Sequence, residues 1–299
     1  MGGALKGRTQ VPLHLSQRTA RLFAVVVLGL LISACSATQL TYRNLDWLIS
    51  RKVNQLIDLN GDQQAWFDNQ LQNTLRWHCA QELPRYRTTL TELGQHLLSQ
   101  NLQTATLEVD AQRAEALADA LLARSAPLTS GLLQRLDDEQ VDELQANLAE
   151  QLAEQREELL DPPLEEQREQ SAERVEKMLK YWLGRLQPNQ RALIATWASE
   201  RDGNNQIWLD NREHWHQLLF NELPTRHQSD FTQRIHHLIV DYRELQTPLY
   251  AQQEPLSRQA FMTLLVQIMQ SATAQQRQHL ADRLDDLTDD LQALECSTE

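Results

Sequence analysis

The sequence predicts an all-α protein, a multi-helix array of packed antiparallel hairpins behind an exported N-terminus. Three observations predict it. Apolar residues recur at three- and four-residue spacing along most of the chain. No alternating β-branched run bounded by turn residues is present. Glycine and proline number only nine each in 299 residues, so helices can run long between breaks.

Residues 1–21 carry Lys6, Arg8, Arg18 and Arg21 and no acid. Leu22–Leu31 is an apolar run too short to span a bilayer, which needs about 20 such residues. A basic stretch, a short apolar stretch and then small residues is the layout of a secretory signal over 1–34. The run ends Ile32-Ser33-Ala34-Cys35, which resembles the lipobox of bacterial lipoproteins. The resemblance implies cleavage between Ala34 and Cys35, a diacylglycerol thioether on Cys35 and acylation of its new amine. Small residues let the peptidase approach the backbone, and only a thiol can take the thioether. Ser36 follows in place of an aspartate, which favours the outer membrane, periplasmic side, over retention in the inner membrane. Three acyl chains exceed the two membrane signals that stable anchoring needs. No other cofactor is expected.

Loss of the signal takes the formal charge from −13 to −17 by removing its four basic residues. So acidic a body is repelled by nucleic acid and by anionic lipid. The expected partners are the membrane, through the anchor, and envelope proteins. Oligomeric state is not legible.

A short extended tether, 35–40, should reach roughly 17 Å and hold the body close to the bilayer. The first helix, Tyr42–Ile57, places Leu45, Ile49, Val53 and Leu56 on one stripe, with Leu48 beside it. It also carries Arg43, Trp47, Arg51 and Lys52. It can lie on the membrane surface or turn its stripe into the core. Asp62–Leu98 follows, interrupted at Pro84. Further helices are expected over Val109–Ala123 and Asp137–Leu160. Asp161-Pro162-Pro163 divides a first helical half, 41–160, from a second, 164–299, within one composite domain. Beyond it come Leu164–Leu186, Pro188 into the 210s, Pro224–Leu245, Pro255–Gln270 and Ala274–Leu294. The last two are the cleanest: Phe261, Leu264, Leu265, Ile268 and Met269, then Leu280, Leu284, Leu287, Leu291 and Leu294.

Four helices share one start. Leu59-Asn60 leads to Gln63, Leu136-Asp137 to Gln140, Leu186-Gln187-Pro188 to Gln190, and Ala272-Thr273 to Gln276. Asn60, Asp137 and Thr273 make capping boxes with their glutamines, and Pro188 supplies a first-turn proline. The pattern also resembles the Leu-Thr-x-x-Gln signature of small periplasmic helical chaperones. That resemblance implies a cradle for unfolded envelope proteins.

A wider resemblance rests on Leu45-Asp46-Trp47-Leu48, on Trp77-His78-Cys79-Ala80-Gln81-Glu82-Leu83-Pro84-Arg85-Tyr86 and on Ser271–Arg277. From the lipobox to about Leu294 the chain is similar to a domain-of-unknown-function family of helical lipoproteins from Gram-negative proteobacteria. It implies a fold and an address but no activity. Cys79 departs from the polar or charged residue usual at its position. With Cys35 acylated, Cys79 and Cys296 are an even pair in an oxidising compartment. Either they bridge or they stay free thiols.

Candidate polar residues are His78, Glu82 and Tyr86, at helical spacing, and His216. His78 and Glu82 one turn apart read as a metal pair, an acid–base pair or a surface pair at a kink. Trp215-His216 with Glu222-Leu223-Pro224 looks like a degenerate copy of Trp77-His78 with Glu82-Leu83-Pro84, and a duplication could bring His78 near His216. His214 and His216 point apart on a helix and cannot share one ion. No HExxH, CxxC, GxSxG or phosphate-loop motif occurs. No metal site and no catalytic residue is expected. Seven tryptophans suggest core packing or an aromatic-lined groove. The expected function is binding or envelope structure; a hydrolase or metal enzyme is the remoter alternative.

Overall fold

The computed structural model describes residues 35–294 and residue 296. The segment read as an export signal, 1–34, with Ala34 at its expected cleavage site, lies outside the described residues. In order, the helices are α1 (Cys35–Arg43), α2 (Leu45–Val53), α3 (Gly61–Trp77), α4 (Leu83–Leu98), α5 (Thr104–Leu133), α6 (Asp138–Leu160), α7 (Leu164–Leu183), α8 (Pro188–Ser199), α9 (Asn204–Glu222), α10 (Phe231–Val240), α11 (Pro248–Gln270) and α12 (Ala274–Ala293). A π turn, His78–Glu82, joins α3 to α4, and a 3-10 turn, Leu223–Thr225, follows α9. No strand occurs among the described residues.

The N-terminus corrects the expected tether. Ser36–Leu40 are helical, so those five residues rise about 8 Å and not 17 Å. Packing explains it: α1 lies on α12, Thr38 is buried, and Gln39 Nε2 donates to Asp290 Oδ1 over 3.5 Å. The single helix expected over 42–57 is broken at Asn44, whose side chain donates back to the Leu40 carbonyl over 2.7 Å and competes with helix continuation. The stripe of Leu45, Ile49 and Val53 is only half-buried, and α2 has no fully buried residue.

Prolines misplace two expected ends. α5 continues past Ala123 through Pro127 to Leu133, and α11 begins at Pro248, seven residues before Pro255. A helical proline removes the bond to the carbonyl four residues earlier. Here Ala123, Pro127, Ala251 and Pro255 are all exposed, so water can take those carbonyls. Thr247 caps α11, its Oγ1 accepting from Tyr250 N. In reverse, the helix expected from Pro188 into the 210s stops at Ser199, and α9 restarts after Gly203, whose φ of 80° suits glycine. Near Pro84 the chain widens into the π turn, an accommodation for one missing donor. The Asp161-Pro162-Pro163 break stands between α6 and α7.

The four similar helix starts meet in pairs. Gln63 and Gln140 exchange amide hydrogen bonds, Nε2 to Oε1, at 2.7 Å both ways. Gln190 and Gln276 do the same at 3.1 and 2.8 Å. All four are buried. Each Oε1 also accepts from a backbone N–H at its own helix start, from Asn60, Asp137, Gln187 and Thr273 at 2.9, 3.1, 2.8 and 3.0 Å. Each Nε2 reaches the residue five before its partner. Gln63 donates to Arg135 O, Gln140 to Asp58 O, Gln276 to Arg185 O, and Gln190 to Ser271 Oγ at 3.5 Å, beside Ile268 O at 3.4 Å. Two donors and two lone pairs of every amide are thereby used.

The halves interpenetrate around these pairs. One apolar cluster joins Leu83 and Leu90 of α4 to Leu179 of α7, Ile194 of α8, Ile268 of α11 and Leu284 and Leu287 of α12. A second joins Leu136, Val141 and Leu144 to Leu223, Phe231 and Ile235. Leu223, of the second Glu-Leu-Pro segment, therefore sits among Leu136 and Val141, which flank Gln140, while Leu83, of the first, lies one turn from the Cys79–Cys296 bridge, at the end of α12 away from Gln276. Buried Arg226, just after the second segment, donates from Nε to Leu136 O over 2.9 Å and pairs with Asp138. The stripe at Leu280, Leu284, Leu287, Leu291 and Leu294 is buried throughout, while in the α11 stripe Phe261 and Leu265 are half-buried.

Six tryptophans are half-buried and Trp47 is exposed. Guanidinium groups cover several of them, closest at Trp66, where Arg135 lies 3.9 Å from the ring centroid. The edge of the Trp66 ring also packs against Gly131: a Cβ there would fall 2.6 Å from Trp66 Cη2. Gly131→Ala should therefore lower unfolding stability by about 1–3 kcal/mol, the cost of overpacking. A falling urea midpoint with unchanged helical circular dichroism would show it.

Candidate functional site

The polar residues that converge do so where α1, the π turn and α4 meet. Tyr42 Oη lies 2.9 Å from His78 Nδ1, and His78 Nε2 lies 3.2 Å from Tyr86 Oη. Eight residues separate His78 from Tyr86, two helical turns, and the π turn between them keeps both on one side. Tyr42 and His78 stack with ring centroids 5.8 Å apart, and Tyr86 meets His78 edge-on at 5.2 Å. One imidazole nitrogen donates and the other accepts, and hydroxyls can answer either tautomer.

Burial keeps this chain uncharged. It pulls the His78 imidazole down to about 4. It pushes Tyr86 up to about 12, helped by the Glu82 carboxylate and opposed by Arg85. Burial, then Tyr86, also raises Tyr42. At neutral pH the site therefore holds one neutral imidazole between two phenols. Such a unit can orient and hydrogen-bond; it offers neither a strong base nor a nucleophile.

Glu82 does not join His78. It is buried, and its Oε1 accepts from Arg85 Nη1 over 2.8 Å. Cys79, on the same turn, is joined by a disulfide to Cys296, with a Cα–Cα distance of 5.5 Å. This closes a loop of 217 residues, worth up to about 5 kcal/mol on the chain-entropy account. The bridge holds the chain end that follows α12 against the π turn, and Gln39 holds α1 on α12. One polypeptide corner thus contains the first helix, the histidine and the C-terminal segment.

His216 is elsewhere. It is buried between Trp215 and Phe220, ring centroids 6.2 and 5.9 Å away, and burial, then Arg212, brings it down to about 4. The suggested approach of His78 and His216 is not made: each belongs to a different ring cluster. Other polar groupings support the scaffold. Asp110 is buried under His96 at 2.9 Å and Arg113 at 3.5 Å, linking α4 to α5. Among the described residues, no group of three or more His, Cys, Asp or Glu side chains could hold a metal ion. Two shallow clefts flank the corner. One, about 520 Å3, runs between α2 and α3 past Asp46, Trp47, Arg51 and Asp68. The other, about 330 Å3, opens at Tyr42, Arg43, Arg76 and Cys79. No aromatic-lined groove forms along them, since Trp47 is the one tryptophan lining the pair.

Sequence spacing found His78 and Tyr86 but not their partner. Tyr42 was visible only as part of an aromatic and basic first helix, because nothing local ties position 42 to 78.

The chain belongs to DUF6279, a family of unknown function.

The family model matches residues 55–251. The match takes in Gln63, His78, Glu82, Tyr86, Gln140, Gln190 and His216. Tyr42, Gln276 and Cys296 lie beyond it. No curated protein and no solved structure matches the chain.

The neutral histidine makes a pH prediction. Unfolded, His78 titrates near 6.5; folded, near 4. Between these values the unfolded chain binds more protons, so stability is full above about pH 6.5 and is lost as pH falls through 4. The loss from this residue is on the order of 3 kcal/mol, and His216 adds a like contribution. Urea unfolding across pH 4–7 should show a shallower slope in His78→Gln than in the unsubstituted chain. Equal slopes would show that His78 is not held neutral.

Proposed function

We propose that the chain is a lipid-anchored protein of the bacterial envelope, fixed through Cys35 to the outer membrane on its periplasmic side, and that it acts by binding or by structural support and not by catalysis. The observation that carries this reading is the run Leu22–Leu31 followed by Ile32-Ser33-Ala34-Cys35. A helix beginning at Cys35 and packed on α12 supports a body held directly at the anchor. The Tyr42–His78–Tyr86 chain, its imidazole held neutral by burial, supports a positioning role. The four glutamines that resembled a chaperone signature are buried in reciprocal pairs, so helix-start packing accounts for them without a client.

Cys35→Ala should abolish incorporation of labelled palmitate and leave a slower-migrating precursor. Normal processing and labelling in that variant would end the anchoring reading. Crosslinking in cells at native expression then reads the partner, with envelope proteins expected among the products.

A further inference from the structure

We infer that the outward side of α1 and α2 is a membrane-contacting surface that lies on an anionic phospholipid leaflet beside the anchor. The inference rests on the anchoring reading and adds the orientation of the body to it.

Helix spacing divides the arm into two sides. Thr38 is buried, Tyr42 reaches His78, and Ile49 and Val53 pack on the core below. Leu40, Arg43, Trp47 and Arg51, at steps of three, four and four, face out. Leu40 is 64% exposed and Trp47 56%. The Arg51 guanidinium sits 5.4 Å from the Trp47 ring centroid, which confirms that these positions are neighbours on one side. Lys52 is exposed beside them. An outward stripe of leucine, tryptophan and cations is the composition of a helix lying in the headgroup region, where tryptophan sits at the apolar boundary and cations meet phosphate.

Charge and position select lipid as the occupant. The mature chain is strongly acidic, yet this arm holds Arg43, Arg51 and Lys52 against the single acid Asp46. Basic groups next to an anchor gain from an anionic surface, and an acidic body is held off it. The arm begins at Cys35 with no extended spacer, so acylation there places Leu40 about one and a half helical turns from the anchor and Trp47 a little over three.

The test uses the full lipoprotein in vesicles of phosphatidylethanolamine with phosphatidylglycerol brominated on its acyl chains. Tryptophan emission is compared between the unsubstituted chain and Trp47→Phe. Bromine should quench the unsubstituted chain more, and this difference should vanish in Arg51→Glu/Lys52→Glu, whose anchor and circular dichroism remain. An acylated chain that floats with vesicles but shows no Trp47-dependent quenching overturns this inference and leaves anchoring intact. A non-acylated chain still quenched through Trp47 keeps the inference and ends anchoring; one that neither floats nor is quenched ends both. Unquenched Trp47 in a chain that sediments as a dimer assigns the stripe to a second copy and overturns the lipid reading.

Discussion

Every α-helix starts with four backbone N–H groups that no carbonyl of its own can take, and at four places this chain turns the glutamine of its first turn inward to meet them. Each such start is closed by a buried glutamine that serves its own helix and a partner's at once. The side-chain oxygen takes the orphan backbone N–H, and the amide nitrogen crosses to the facing turn. Glutamine is the residue that can do both. Glutamate also completes a capping box, but a facing pair of glutamates would bury two like charges with no donor between them. An amide carries two donors and two acceptors and is complementary to its own copy. The same contact, with the same five-residue offset, occurs in both halves, so the helical hairpins hang on two equivalent joints.

The rest of the architecture follows from where those joints lie. The first joint is wrapped by leucines of its own half and by the Glu-Leu-Pro corner of the second half, while the first half's corner packs at the far end of α12, by the disulfide. The halves cannot separate without exposing both cores. The Arg226 guanidinium, donating to the Leu136 carbonyl, ties the second corner to the first joint. The disulfide and α1 then close the remaining open corner, where α4 and α12 meet. This is where Tyr42 finds His78, and where a neutral polar chain is kept under α1.

Much of this was legible in the residues, because it is local. The stripes at 261–269 and 280–294 are set by one helix's own period. The capping residues Asn60, Asp137 and Thr273 act within four residues of themselves, and Pro162-Pro163 stops a helix by its own geometry. The missed features depend on surroundings. The helices expected over Val109–Ala123 and Pro255–Gln270 extend to Leu133 and back to Pro248, through Pro127 and Pro255, where the exposed residues four before each proline leave their carbonyls to water. The tether at 36–40 was read as extended because only α12 and Asp290 make it helical. Glutamines were recognised as caps, while their pairing across 77 and 86 residues leaves no mark in the spacing. Tyr42 was missed as a partner of His78 for the same reason.

The central claim is that paired glutamines, and not isolated caps, hold the helix starts. A double-mutant cycle on Gln190→Met and Gln276→Met, read by urea unfolding, addresses it most directly. Each single change should cost about 1–3 kcal/mol, since it strands the partner amide in the core. The double change should cost less than the two together by about 1 kcal/mol or more, because no amide is then left unpaired. Costs that add within about 0.5 kcal/mol, as for independent sites, would contradict the account.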